Sequence, residues 1–139
     1  MRTFCLIVLI FLAATLSACG GTGAAGVAAP PGNAERGRAL FLAVSIRDTP
    51  GCITCHSLEP GKVVVGPSLA GIATRSLQII KSPDYTGDAK TSEEFLRESI
   101  TMPTADLGAG FSHSVMPDWM TVLDRQEIED LVAFLETQK

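Results

Sequence analysis

Histidine and cysteine are scarce in this chain of 139 residues, with two of the first and four of the second. A structural zinc site takes about four such ligands. Cys5 and Cys19 fall in an apolar leader, so Cys52, Cys55 and His56 have only His113 left to complete a set. A structural zinc is therefore not expected. The chain also lacks a basic tract, which removes the usual electrostatic footprint of a nucleic-acid binder. It lacks an apolar run long enough for a membrane span of ~20 residues. The longest such run, 4–16, is shorter and sits behind a single basic residue, Arg2. The length suits one small domain, and the formal charge of −4 makes it acidic.

That short apolar run reads as the core of a signal peptide, residues 1–18. Leu16-Ser17-Ala18-Cys19-Gly20 resembles the lipobox of bacterial lipoproteins. The resemblance implies that Cys19 is lipidated and becomes the first mature residue. Cleavage after Ala18 or Ala14, or an uncleaved anchor, are the alternatives. Each of them places the chain outside the cytoplasm, periplasmic or on the outer face of the cell membrane. Residues 19–32 then form a Gly/Ala/Pro tether, uncharged and without apolar periodicity. Its root-mean-square reach is on the order of 20 Å.

The densest chemistry lies at Cys52-Ile53-Thr54-Cys55-His56. C-x-x-C-H is the attachment signal of a c-type haem, in which each cysteine sulfur forms a thioether to the porphyrin. The following histidine is then the proximal ligand of the iron. A dithiol redox pair would call for a βαβ setting, and the Pro/Gly-rich flanks Asp48-Thr49-Pro50-Gly51 and Ser57-Leu58-Glu59-Pro60-Gly61 do not supply one. With lipid on Cys19 and haem on Cys52 and Cys55, no free thiol remains on the mature chain.

The domain from 33 to 139 reads as all-α. Asn33 caps a first helix over 34–44, with Ala34, Gly37, Leu40, Phe41 and Val44 on one face. Gly37 costs about 1 kcal/mol in a helix interior, and a close helix crossing explains it. Gly66-Pro67-Ser68-Leu69 follows the haem motif. The carbonyl of Pro67 is placed to accept a hydrogen bond from His56 and orient its ring; a plain turn is the alternative. Thr91 and Glu94 form a capping box for a helix over 92–100, and Asp124 and Glu127 another for a helix over 125–137. The last helix stacks Ile128, Leu131, Val132 and Leu135 on one face, beside Phe134. Residues 101–120 read as a long loop.

These motifs together resemble the class I c-type cytochromes over about residues 33–137. The resemblance implies a cytochrome c fold in which the first and last helices cross near Gly37 and Phe134. It implies one covalent haem c held by Cys52, Cys55 and His56, with Pro67 and Leu69 beside it and Met116 as the second axial ligand. Met102, His113, Met116 and Met120 all lie where that ligand is expected. Met116 is favoured because Pro117 follows it and because it stands between a flexible loop and the last helix. Trp119 is left between two roles, donating to a propionate or packing on the haem. The stretch from Tyr85 to Met116 further resembles small bacterial cytochromes, and cytochrome domains fused to oxidase subunits, that feed terminal oxidases. The segment from Val44 to Gly51 is longer than the family's minimal link and bears on the docking surface.

The function implied is one-electron transfer without catalysis, by a tethered monomer that passes electrons from a quinol-oxidising complex to a terminal oxidase. A dedicated subunit of a larger dehydrogenase or oxidase is the alternative. An open-site haem enzyme is the remote one, since no distal histidine–arginine pair is evident. Lys62, Arg75, Lys81 and Lys90 are candidates for a basic docking rim, though scattered solvated charge is the reading preferred.

Overall fold

A computed structural model of the chain describes residues 30–108 and 110–139. The expected signal peptide, Cys19 and most of the tether lie outside the described residues. Among those described, no helix is long and apolar enough to cross a membrane.

The elements run in the order α1 (Ala34–Leu42), a two-stranded hairpin β1 (Ser45–Ile46) and β2 (Thr49–Pro50), α2 (Cys52–Cys55), α3 (Ile72–Ile79), α4 (Ser92–Thr101), a 3-10 turn at Trp119–Thr121, and α5 (Arg125–Leu135). The caps form as the side chains dictate. Asn33 accepts from the N–H of Arg36 at 2.9 Å. Thr91 with Glu94, and Asp124 with Glu127, close reciprocal capping boxes.

The first and last helices cross as expected. Gly37 packs directly on the α5 backbone, and a Cβ there would overlap the carbonyl oxygen of Asp130. One turn on, Phe41 meets Phe134 with ring centroids 5.4 Å apart. Phe41 and Leu131 are among the most deeply buried side chains, at 1% and 2% exposure. Two arginines rivet α5 from either side. Arg36 donates to both oxygens of Asp130, at 2.6 and 2.9 Å. Arg97, on α4, donates to both oxygens of Glu129, at 2.8 and 2.7 Å. Both acids are buried although they lie on the polar side of the last helix's sequence pattern. Pro31 and Gly32, at the end of the expected tether, also lie against α5, where Gln126 donates to the Pro31 carbonyl at 3.1 Å.

The structure corrects several element boundaries. The first helix ends at Leu42, and Val44, assigned to its inner face, is 74% exposed. The chain turns extended at Ala43 because the hairpin begins there, pairing Ser45 with Pro50 and Ile46 with Thr49. Ile46, rather than Val44, enters the core. The last helix stops at Leu135, two residues short of the expected end. An additional helix, α3, occupies a stretch with no expected element. It starts from Gly71 in the left-handed conformation (φ 67°) without a side-chain cap. Its inner face includes Ser76, fully buried and hydrogen-bonded to Ser92 of α4 at 2.8 Å. A polar residue at the centre of the packed face, and no capping residue at its start, hide this helix from an apolar-periodicity search.

Candidate functional site

The cysteines of the C-x-x-C-H motif bracket a single helical turn, α2, opened by Gly51. The turn holds Cys52 and Cys55 on one short arc, and His56 follows with its N–H bonded to the Cys52 carbonyl at 2.9 Å. Both thiols are free of disulfides. Burial pushes the Cys52 thiol up to about 11. A thiol so neutral at physiological pH is a poor redox nucleophile, which speaks against the dithiol reading.

The loop from Gly66 to Gly71 grips His56. Its Nδ1 lies 2.9 Å from the carbonyl oxygen of Pro67. A carbonyl only accepts, so Nδ1 carries the proton and Nε2 keeps its lone pair. Gly66 lies flat against the imidazole, where any Cβ would overlap the ring. The loop is itself anchored. Leu69 N–H donates to the Ser57 carbonyl at 2.7 Å, and the Ser68 hydroxyl to the Glu59 carbonyl at 2.6 Å. Arg75 reaches back from α3 to the carbonyls of Ser68, at 2.7 Å, and Ala70.

Beside this grip lies an apolar cavity. Phe41 from α1 and Leu131 and Leu135 from α5 form one part of its wall. Cys52, Leu69 and Ile100 form another, and Met116 and Trp119 close it. Met116 alone among the four candidate ligands lines it. Met102 and Met120 are 53% and 59% exposed. His113 is exposed, with its ring nitrogen 3.1 Å from the Ser112 hydroxyl. Trp119 is 2% exposed and packs in the cavity wall.

Arg75 was a candidate for a docking rim and is instead turned inward onto the carbonyls of the loop that grips His56. Its neighbour in that proposed rim, Lys62, is paired with Glu59 at 2.7 Å. Lys81 and Lys90 are exposed. Phe41, Ile100, Leu131 and Leu135 were legible as apolar helix positions, but nothing in their spacing marked them as cavity wall.

The residues present suit a planar apolar macrocycle joined through sulfur. Two free thiols stand on one turn beside an imidazole with a fixed tautomer, and an apolar cavity reaches a thioether. An all-α domain with this site is a covalent haem protein.

Comparison with known proteins agrees. Residues 34–139 match the family model for Cytochrome c. The chain is 30% identical over 117 residues to Cytochrome c2 of Rhodopila globiformis, covering 80% of this chain and 98% of that protein. It is 36% identical over 75 residues to Cytochrome c-type protein SHP of Cereibacter sphaeroides. That match covers 50% of this chain, which spans only about half (54%) of the relative's length. The chain belongs to the cytochrome c family, with covalently bound haem c as its cofactor, and is a haem-based electron carrier.

Proposed function

We propose that the chain is a membrane-tethered one-electron carrier whose haem iron is held by His56 and Met116, with Cys52 and Cys55 as the thioether residues. The observation that carries this reading is that Met116 is the one candidate second ligand in the wall of the cavity that Cys52 also lines. The bound haem supplies the reversible ferrous–ferric couple. The chain's own residues do the rest. Pro67 holds the His56 ring so that Nε2 is free to coordinate, and such support strengthens histidine as a donor. Met116 offers a soft, neutral sulfur, which favours the reduced state and raises the potential. Phe41, Leu69, Ile100, Trp119, Leu131 and Leu135 keep water from the site. His56 and Met116 would together hold the iron and leave no site for a substrate, in keeping with electron transfer rather than catalysis.

The extracytoplasmic location, Cys19 lipidation and the flexible tether belong to the same proposal, as does transfer between a quinol-oxidising complex and a terminal oxidase. They rest on the leader and tether read in the sequence. The protein acts as a monomer.

The test is an optical spectrum of the purified holoprotein in both oxidation states, with Met116→Ala beside it. The native ferric form is expected to show a weak sulfur-to-iron charge-transfer band that the variant lacks. A high-spin native spectrum, unchanged by the substitution, would replace this account with an open iron site.

A further inference from the structure

Glu98, near the end of α4, closes a ring of hydrogen bonds at the root of the loop that carries Met116. Its backbone carbonyl accepts from the N–H of Met102, at 2.7 Å, where the helix ends. The Met102 carbonyl accepts in turn from the Ala105 N–H, at 2.9 Å. The Ala105 carbonyl accepts from the Thr86 hydroxyl, at 2.6 Å. Tyr85, the neighbour of Thr86, donates its phenol back to the Glu98 carboxylate. The ring thus ties the 85–89 segment to the first turn of the loop that follows α4.

The carboxylate is held from more than one side. Its other oxygen accepts from the Asp88 N–H at 2.8 Å, and the Tyr85 oxygen accepts from the Ala89 N–H at 3.0 Å. Gly87 lies so close that a Cβ there would overlap both the Glu98 carboxylate and the Tyr85 hydroxyl. The Tyr85 ring packs beside Phe95 of α4, with centroids 6.0 Å apart. Burial first, and the Glu98 carboxylate next, push the phenol up to about 12. It therefore keeps, at neutral pH, the proton that it donates.

Tyr85, Thr86 and Glu98 stand outside the cavity wall, so they act on the site through the loop. The loop is fixed at its far end as well, where Asp118 accepts from the Met120 N–H at 3.1 Å and Trp119 is buried. Met116 lies between the two ends. The entropy lost in closing a loop grows with its free length. Tying down Ala105 shortens the free part and lowers the cost of keeping the sulfur at the cavity.

We infer that Tyr85, Thr86 and Glu98 are positioning residues for Met116, fastening the root of its loop so that the thioether stays in the cavity wall. The inference rests on the Met116 ligation proposed above.

The test is the affinity of the ferric holoprotein for imidazole, which must displace the methionine sulfur to bind, read from the loss of the charge-transfer band. Tyr85→Phe removes the phenol and keeps the ring beside Phe95. Thr86→Val removes the hydroxyl bonded to Ala105 at an exposed position, where folding is least at risk. Ser76→Ala, which deletes the buried hydrogen bond to Ser92, controls for general loss of stability. Urea midpoints are measured for all three. Tyr85→Phe and Thr86→Val are each expected to bind imidazole about threefold more tightly, the worth of one modest hydrogen bond, and to keep the band when imidazole is absent. Ser76→Ala is expected to bind it as the wild type does, although its urea midpoint falls. An unchanged affinity in either loop variant, or an equal rise in Ser76→Ala, overturns the positioning role and leaves Met116 ligation standing. Should Tyr85→Phe not fold, Thr86→Val decides alone. If Met116→Ala binds imidazole no more tightly than the wild type, Met116 is not the ligand, and the positioning role falls with it.

Discussion

At the scale of single residues, the site depends on the close approach of backbone to imidazole. The ring of His56 sits between the haem motif and the Gly66–Pro67 peptide, with its Nδ1 proton on the Pro67 carbonyl. Proline contributes by its carbonyl, and Gly66 by the side chain it lacks. Gly66→Ala would drive a methyl group into the ring. Neither the loop nor the imidazole can yield without losing the 2.9 Å hydrogen bond. The expected outcome is a protein that still acquires haem through its cysteines but holds His56 poorly. Its visible spectrum should change, and its urea stability should fall by about 1–3 kcal/mol, the usual cost of overpacking. Absorbance-detected urea titration checks both. The Pro67 contact was expected because a proline carbonyl soon after the haem motif can accept from His56, a role the family resemblance also implies, with a plain turn as the alternative. Arg75 was not readable. An arginine in a sequence looks solvent-bound, and only the fold shows it tied to the Ser68 and Ala70 carbonyls.

At the scale of elements, the crossing of α1 and α5 organises the domain. Two helices approach closely only where one offers no side chain, and Gly37 is that place. Phe41 and Phe134 fill the space one turn further on. Gly37→Ala improves the intrinsic helix propensity of α1 by up to about 1 kcal/mol. It also sets a methyl group against the Asp130 carbonyl, on a backbone that cannot swing aside. The overlap outweighs the propensity, and a net loss of roughly 3 kcal/mol is expected, at the upper end for overpacking. Denaturant unfolding of the holoprotein reads it. A gain in stability would mean that the helices separate freely at this point. The glycine was legible because a mid-helix glycine is unfavourable unless packing explains it. The hairpin between α1 and α2 was not, because its two short strands carry too few residues to establish an alternating pattern.

At the scale of the whole molecule, one buried carboxylate, Asp130, links stability to acid. Burial alone would raise the Asp130 carboxyl. The Arg36 guanidinium, the Asn33 N–H and Gln126 outweigh it and hold the group below the usual carboxylate range. A depressed folded value contributes stability that is present above the unfolded pKa of about 3.9. That stability is lost as pH falls through the folded value. Asp130→Asn removes this titration. The variant is therefore expected to be less stable than the wild type at neutral pH, with the gap closing as the pH falls from the unfolded value through the lower folded one. Urea midpoints measured at neutral and strongly acidic pH check the convergence. A constant gap would show that Asp130 contributes by shape and neutral hydrogen bonding alone.

That the first and last helices cross was implied by the family resemblance; the sequence by itself determined the cofactor chemistry, the capped helices and the need for a close neighbour at Gly37. Each of these is written in local spacing: two cysteines and a histidine within five residues, a glycine one turn before a phenylalanine, a capping residue three before a glutamate. Only the tertiary structure decided which of three methionines reaches the cavity, which arginine turns inward, and which valines remain outside. Those outcomes depend on how segments far apart in the chain divide one small apolar interior. Pro117 and a place between a loop and the last helix favoured Met116 in the sequence, but Met102 also precedes a proline, so local pattern ranks the candidates without bringing one to the cavity. The fold selects Met116 because its loop passes over the cavity opened between α1, α4 and α5, while its two rivals are left facing solvent.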